Sequence, residues 1–121
     1  MDKKKSIWKK HVDKHDYGAA LDYLLLLYNR ANAESYINKM LETKICFKKA
    51  KDLFRASELT LLPATNKHVK ENLKKFKKGI KLSPILLVAT ENKLIIADGF
   101  HRLSASYVLS EDEEVPCILV N

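Results

Sequence analysis

Cysteine is scarce in this 121-residue chain, with two copies, Cys46 and Cys117, isolated and sharing no CxxC spacing. Neither a disulfide framework nor a zinc site is implied, and the pair reads as reduced thiols. Long apolar runs are also missing, since none approaches the roughly 20 residues that cross a bilayer. The basic N-terminus, "MDKKKSIWKKHVDKHD", is not followed by an apolar core and does not read as a secretory signal. The expectation is therefore a cytoplasmic protein. Arginine is the third shortage: only Arg30, Arg55 and Arg102 stand among 22 basic residues. Lysine is a loose point charge and arginine a directional fork, so these three are the better candidates for specific roles. Neither an internal repeat nor a low-complexity segment is visible.

Basic charge is plentiful, and a hydrophobic content of 46% is enough for one modest domain, with an extension. The formal net charge of +7 favours anionic partners: nucleic acid, nucleotide or an acidic protein surface. Its distribution is uneven. Residues 65–81 hold seven lysines against one glutamate, whereas "EDEE" at 111–114 is wholly acidic. A lysine-rich helix face is commonly plain solvated surface.

Two helices are expected before residue 45. "YGAALDYLLLLYNR" carries an apolar block, Leu21 and Leu24 to Leu27, wide enough for burial on most of its circumference. "ANAESYINKMLETK" places Ala33, Tyr36, Ile37, Met40 and Leu41 at helical spacing, with Asn32 as its cap. Residues 48–56 predict a short helix and Leu59 to Leu62 a brief strand stopped by Pro63. Thr65 or Asn66 caps a third helix whose buried stripe is Val69, Leu73 and Phe76, with Gly79 at its stop. "PILLVA" and "KLII" then read as strands joined by a hairpin turn, "TEN", in which Asn92 tolerates positive φ. A helix from Gly99 to Leu109 and a strand "VPCILV" close the chain. This order predicts a small α+β fold, a mixed β-sheet with packed helices. Residues 1–56 form a basic arm and helical extension, and 57–121 the domain proper.

Chemistry concentrates at the handover from strand to helix, "ADGFHR". If Asp98 caps the helix, Gly99 leaves room for close approach and the next amides point outward without an intrahelical partner. The helix dipole makes that end partly positive, a natural seat for phosphate. Arg102 would add a bidentate clamp, and His101 a donor that titrates near neutral pH. The plain alternative is a capped helix with no ligand. In it His101 is a satisfied semi-buried side chain and Arg102 pairs with the 111–114 loop.

"DGFHRLSAS", preceded by "LKKFKKGIKLSPILLV" and "KLIIA", resembles the ParB/sulfiredoxin-like superfamily, which also carries the ParB-like nuclease label. Gly79, Pro84 and Ile85 match its "G…xPIxV" element; Gly99, His101, Arg102 and Ala105 match its Gly-x-His-Arg turn. The likeness spans residues 57–121. It implies nucleotide binding at this helix terminus: ParB proteins use CTP, sulfiredoxins ATP, free-serine kinases ADP or ATP. By resemblance, Asp98, Gly99, Phe100, His101 and Arg102 form a ligand-binding turn, with magnesium as an accompanying ion and phosphotransfer as the reaction it would serve. In relatives the segment before the third helix faces the nucleotide, which singles out Asn66, Lys67 and His68, with Arg55 nearby. Glu58 and Glu71 are the nearest options for a general base, and nothing in the sequence chooses between them. The alternative for His68 is a first-turn surface histidine.

Phe100 stands where sulfiredoxin's reactive cysteine belongs, which argues against sulfinic-acid repair. His101 replaces the second arginine of the ParB turn and no helix-turn-helix region follows, which argues against a partition clamp. No carboxylate–histidine cluster suited to two-metal chemistry, and no metal site, is read from the sequence. The alternative from another class is a nucleic-acid-binding module using the lysines of 67–81 and the N-terminal arm, with salt-dependent affinity. A third reading is a protein-partner module that docks through Leu21 to Leu27.

Overall fold

The computed structural model describes residues 7–121, and the first residues of the basic arm lie outside it. Among the described residues five helices flank a four-stranded mixed sheet: α1 (Lys14–Leu24), α2 (Arg30–Glu42), β1 (Cys46–Lys49), α3 (Ala50–Ser57), α4 (Lys67–Lys77), β2 (Ile85–Ala89), β3 (Leu94–Asp98), α5 (Phe100–Leu109) and β4 (Glu114–Val120). The α+β class holds.

Strand order is β1-β4-β2-β3, with the central β4–β2 pair parallel and both outer pairs antiparallel. Strand β2 reads as an unbroken apolar run because both its faces are covered. Ile85 and Leu87 join a core with Leu53, Phe54, Leu103 and Trp8 on one face. Leu86 and Val88 join Ala20, Leu24, Ala33 and Met40 on the other. Fully burying one such leucine contributes roughly 1.5–3 kcal/mol, so this strand anchors both layers. Residues on either side of the 56/57 boundary share this sheet and both cores: β1 pairs with β4, and α1 covers the face that β3 presents.

Several local expectations are corrected. Helix α1 stops at Leu24, so Leu26 is 80% exposed and Leu27 half exposed rather than buried. Asn29, not Asn32, caps α2; its side chain accepts from the Asn32 N–H at 2.8 Å. Leu59 to Leu62 forms no strand, and the fourth strand is the short, lysine-bearing β1 instead. Asn92 does not take positive φ; Thr90 closes the hairpin, donating to Lys93 O at 2.7 Å and accepting from its N–H at 3.1 Å. Asn66 does cap α4, accepting from His68 and Val69 N–H groups, and Gly79 follows it at φ 75°.

Trp8 is docked. Its ring packs edge-on against Phe76 at 6.0 Å, and its indole N–H donates to Glu113 at 3.3 Å. A parallel bridge joins it to Leu82, with Lys9 N–H donating to Leu82 O and Leu82 N–H to Ile7 O. This contact lays the N-terminal segment along the β2 approach and brings the start of α1 over the β3–α5 junction.

Candidate functional site

Opposite the step from Leu86 to Leu87 of β2, strand β3 carries a bulge: Leu86 pairs with Asp98 and Leu87 with Ile96, which leaves Ala97 as the extra residue just before Asp98 and Gly99. Gly99 is the cap residue of α5, at φ 110° and ψ 15°, a backbone state that side chains rarely allow. A Cβ there would also lie 2.6 Å from Ile85 Cδ1 and 2.9 Å from Arg102 Nη2. Glycine is needed twice over, for torsion and for contact. Leu103 N–H donates to Gly99 O, so the amides of Phe100, His101 and Arg102 precede the first helical bond.

Asp98 is not the cap. Its carboxylate accepts from Arg102 Nη2 at 3.1 Å. The guanidinium is not poised as a free clamp either: Nε donates to Ser83 O at 2.9 Å, and Nη2 to Pro84 O at 3.0 Å and Asp16 Oδ2 at 3.2 Å. Asp16, in the first turn of α1, is 3% exposed, and its other oxygen lies 3.3 Å from His15 Nε2. Arg102 thus locks three segments together: the start of α1, the approach to β2 and the turn into α5. It takes no part in the 111–114 loop, whose Asp112 pairs with Lys51 instead. Burial pushes the Asp98 carboxyl above its ordinary 3.8, and the neighbouring Asp16 adds to the rise; the guanidinium works against both.

Beside this lock lies an open cavity of about 480 Å³. Gly99, His101 and Arg102 form its floor, and His68, Glu71 and Lys75 of α4 form one wall. The His68 and His101 ring centroids lie 4.7 Å apart with the planes tilted by 57°, and Glu71 lies 3.5 Å from His68 Nδ1. Partial burial, the nearby His68 and Arg102 hold His101 below its ordinary 6.5. Lys81 and Ser83 continue the rim, and Lys9, Asp13 and Asp16 close the far side.

Of the seven sequence-predicted site residues, Gly99, His101, Arg102, Asp98 and His68 meet at this cavity. Two do not. Phe100 turns into the core, against Phe54 at 6.0 Å, and Asn66 is used as the α4 cap. Lys67 and Arg55 are not in the lining, and Arg55 pairs with Asp52 at 3.7 Å. Between the two candidate bases, Glu71 lines the cavity, while Glu58 ends α3 in the left-handed region.

Lys9, Asp13, His15 and Asp16 escaped sequence reading because they lie in the segment assigned to an extension. The Asp16–Arg102 pair spans 86 residues. The available signal was Asp16 itself, an acid in the first turn of a helix, and an arginine in an otherwise small and apolar helix that required a partner. Asp13, His15 and Asp16 also present ligand atoms all within 4.8 Å of one another, a set able to hold one divalent cation. No metal site is expected from the sequence alone.

Charge at the cavity is balanced. Lys9, Lys75, Lys81 and Arg102 stand against Asp13, Asp16, Glu71 and Asp98. Lys9 is held by Asp13 at 2.7 Å and Arg102 by its two carboxylates, whereas Lys75 and Lys81 form no ion pair among the described residues. The two lysines are thus available to an anion, whereas the α1 carboxylates Asp13 and Asp16 already hold Lys9 and Arg102.

No protein-family model, curated protein or solved structure matches this chain.

Proposed function

We propose that the cavity between α4 and the β3–α5 turn binds a nucleotide, or another phosphorylated ligand, in the manner of the ParB/sulfiredoxin-like proteins that the sequence resembles. One observation carries this reading. Lys75 and Lys81, without an ion pair among the described residues, two adjacent imidazoles and the first-turn amides of α5 border one cavity, whose volume falls in the range of small-molecule sites. In this reading Arg102 positions the turn, and phosphate oxygens meet the α5 amides, His101, His68 and the two lysines. A divalent ion carried by the phosphates would sit toward Asp13, His15 and Asp16. Phosphotransfer is the reaction the site would serve, with Glu71, through His68, as the base facing the cavity.

The alternative reading is nucleic-acid binding. It rests on Lys67, Lys70, Lys74, Lys77 and Lys78 of the α4 region, exposed and without ion pairs among the described residues. Its affinity would fall steeply with salt, whereas a nucleotide held in a cavity would be far less salt-sensitive.

Isothermal titration with ATP, ADP, CTP and GTP, with and without magnesium, tests the leading reading. Saturable heat with at least one nucleotide is expected, weakened roughly ten-fold in a Lys75→Gln, Lys81→Gln double variant, which loses two charge-assisted contacts. Absence of heat at millimolar nucleotide, or equal affinity in the double variant, would remove it.

A further inference from the structure

The chain's two cysteines are 71 residues apart, yet the sheet sets them directly opposite each other, Cys46 of β1 in register with Cys117 of β4. Their sulfurs are 3.7 Å apart. We propose that Cys46 and Cys117 are a modification site, a thiol pair that closes reversibly into an intrachain disulfide on exposure to a hydroperoxide and staples the edge strand β1 to β4. Directly opposed residues of an antiparallel pair have Cα atoms about 4.5–5.5 Å apart, inside the span that a disulfide bridges. Bringing the sulfurs to a bond of about 2.05 Å needs side-chain rotation and no change of register.

The two thiols are not equivalent. Cys46 is half-buried on the outermost strand, and Cys117 is fully buried. Burial and the adjoining Cys46 thiol push the Cys117 thiol up to about 12. Cys46 is therefore the attacking group. Its thiolate takes one peroxide oxygen, the O–O bond breaks, and the released hydroxide gains a proton to leave as water. Cys117 then attacks the sulfenyl sulfur, giving up its proton; the S–O bond breaks and a second water departs. Two thiols supply two electrons and two protons, and one hydrogen peroxide becomes two waters. A dithiol reverses the bridge by exchange. Because β1 lies at the opposite edge of the sheet from β3, the staple acts on the stability of that edge and is independent of ligand binding at the cavity.

The test is intact-mass spectrometry of the full reduced chain after hydrogen peroxide, followed by unfolding and alkylation. The expected product has lost two hydrogens, takes up no alkylating agent, regains both thiols with dithiothreitol, and melts several degrees higher than the reduced form. Cys117→Ala should instead gain oxygen at Cys46. Cys46→Ala should leave Cys117 unmodified in the folded protein. Oxygen addition to the wild-type chain in place of hydrogen loss, a bridge formed only between chains on a non-reducing gel, or two thiols still free would overturn the proposal.

Discussion

Arg102 illustrates how one residue changes its meaning between sequence and fold. Beside a glycine at a helix start, a guanidinium reads as a phosphate clamp; in the folded chain its Nε and Nη2 donate to Asp16, Asp98 and two backbone carbonyls. Removing it strands two carboxylates, one of them almost wholly buried. Arg102→Ala should therefore destabilise the fold by about 3–5 kcal/mol, read as a lowered midpoint in urea unfolding. An Arg102→Ala variant as stable as the wild type would show that the lock carries little energy. Loss of ligand binding in that variant would report unfolding of the junction as much as loss of a contact, which is why Lys75 and Lys81 are the cleaner probes.

At the scale of elements, the aliphatic strands, the capped α4 and the short α3 were legible, and a strand without an apolar pattern was not. β2, β3 and β4 announced themselves as apolar runs bounded by turns, and α4 by Asn66 and Gly79. Strand β1 is four residues with two lysines, held by pairing with β4 and not by any pattern of its own. The end of α1 was hidden because Leu25, Leu26 and Leu27 prolong an apolar block past the point where the helix stops. The candidate site shows the same division. Its turn and α4 wall lie in the region of clear pattern, while its α1 wall depends on Trp8 docking beside Leu82, a tertiary event. Helix α3 supplies an element-scale prediction. It ends on Glu58 at φ 60° and ψ 20°, the left-handed state that costs a side chain roughly 1–2 kcal/mol. Glu58→Gly removes that strain at some cost in backbone entropy, so a gain of roughly 0.5–1 kcal/mol in thermal unfolding is expected. A loss would mean that the Glu58 side chain contributes contacts worth more than the strain.

For the whole molecule, proton linkage ties stability and binding to the same residues. His101 has a folded-state value below its ordinary 6.5, so between the two values the unfolded chain binds more protons. Its contribution to stability is therefore present above 6.5 and is lost as pH falls through that window. Asp98 runs the other way: held above 3.8, it contributes most below that value and loses that contribution as pH rises through its folded value. A phosphate seated at His101 favours the imidazolium, so nucleotide binding should take up protons and strengthen from about pH 8 to about pH 6. Calorimetry in buffers of different ionisation enthalpy reads that uptake directly. Proton release, or affinity unchanged across the range, would place the ligand away from the imidazoles.

The most direct measurement is NMR of the four histidine side chains as ATP is added, with adenosine as the control. A phosphate seat at the β3–α5 turn predicts saturable shifts of His68 and His101 with ATP, little change with adenosine, and a stationary His11, which lies outside the cavity lining. Stationary His68 and His101 resonances at saturating ATP, or equal shifts with adenosine, would contradict it.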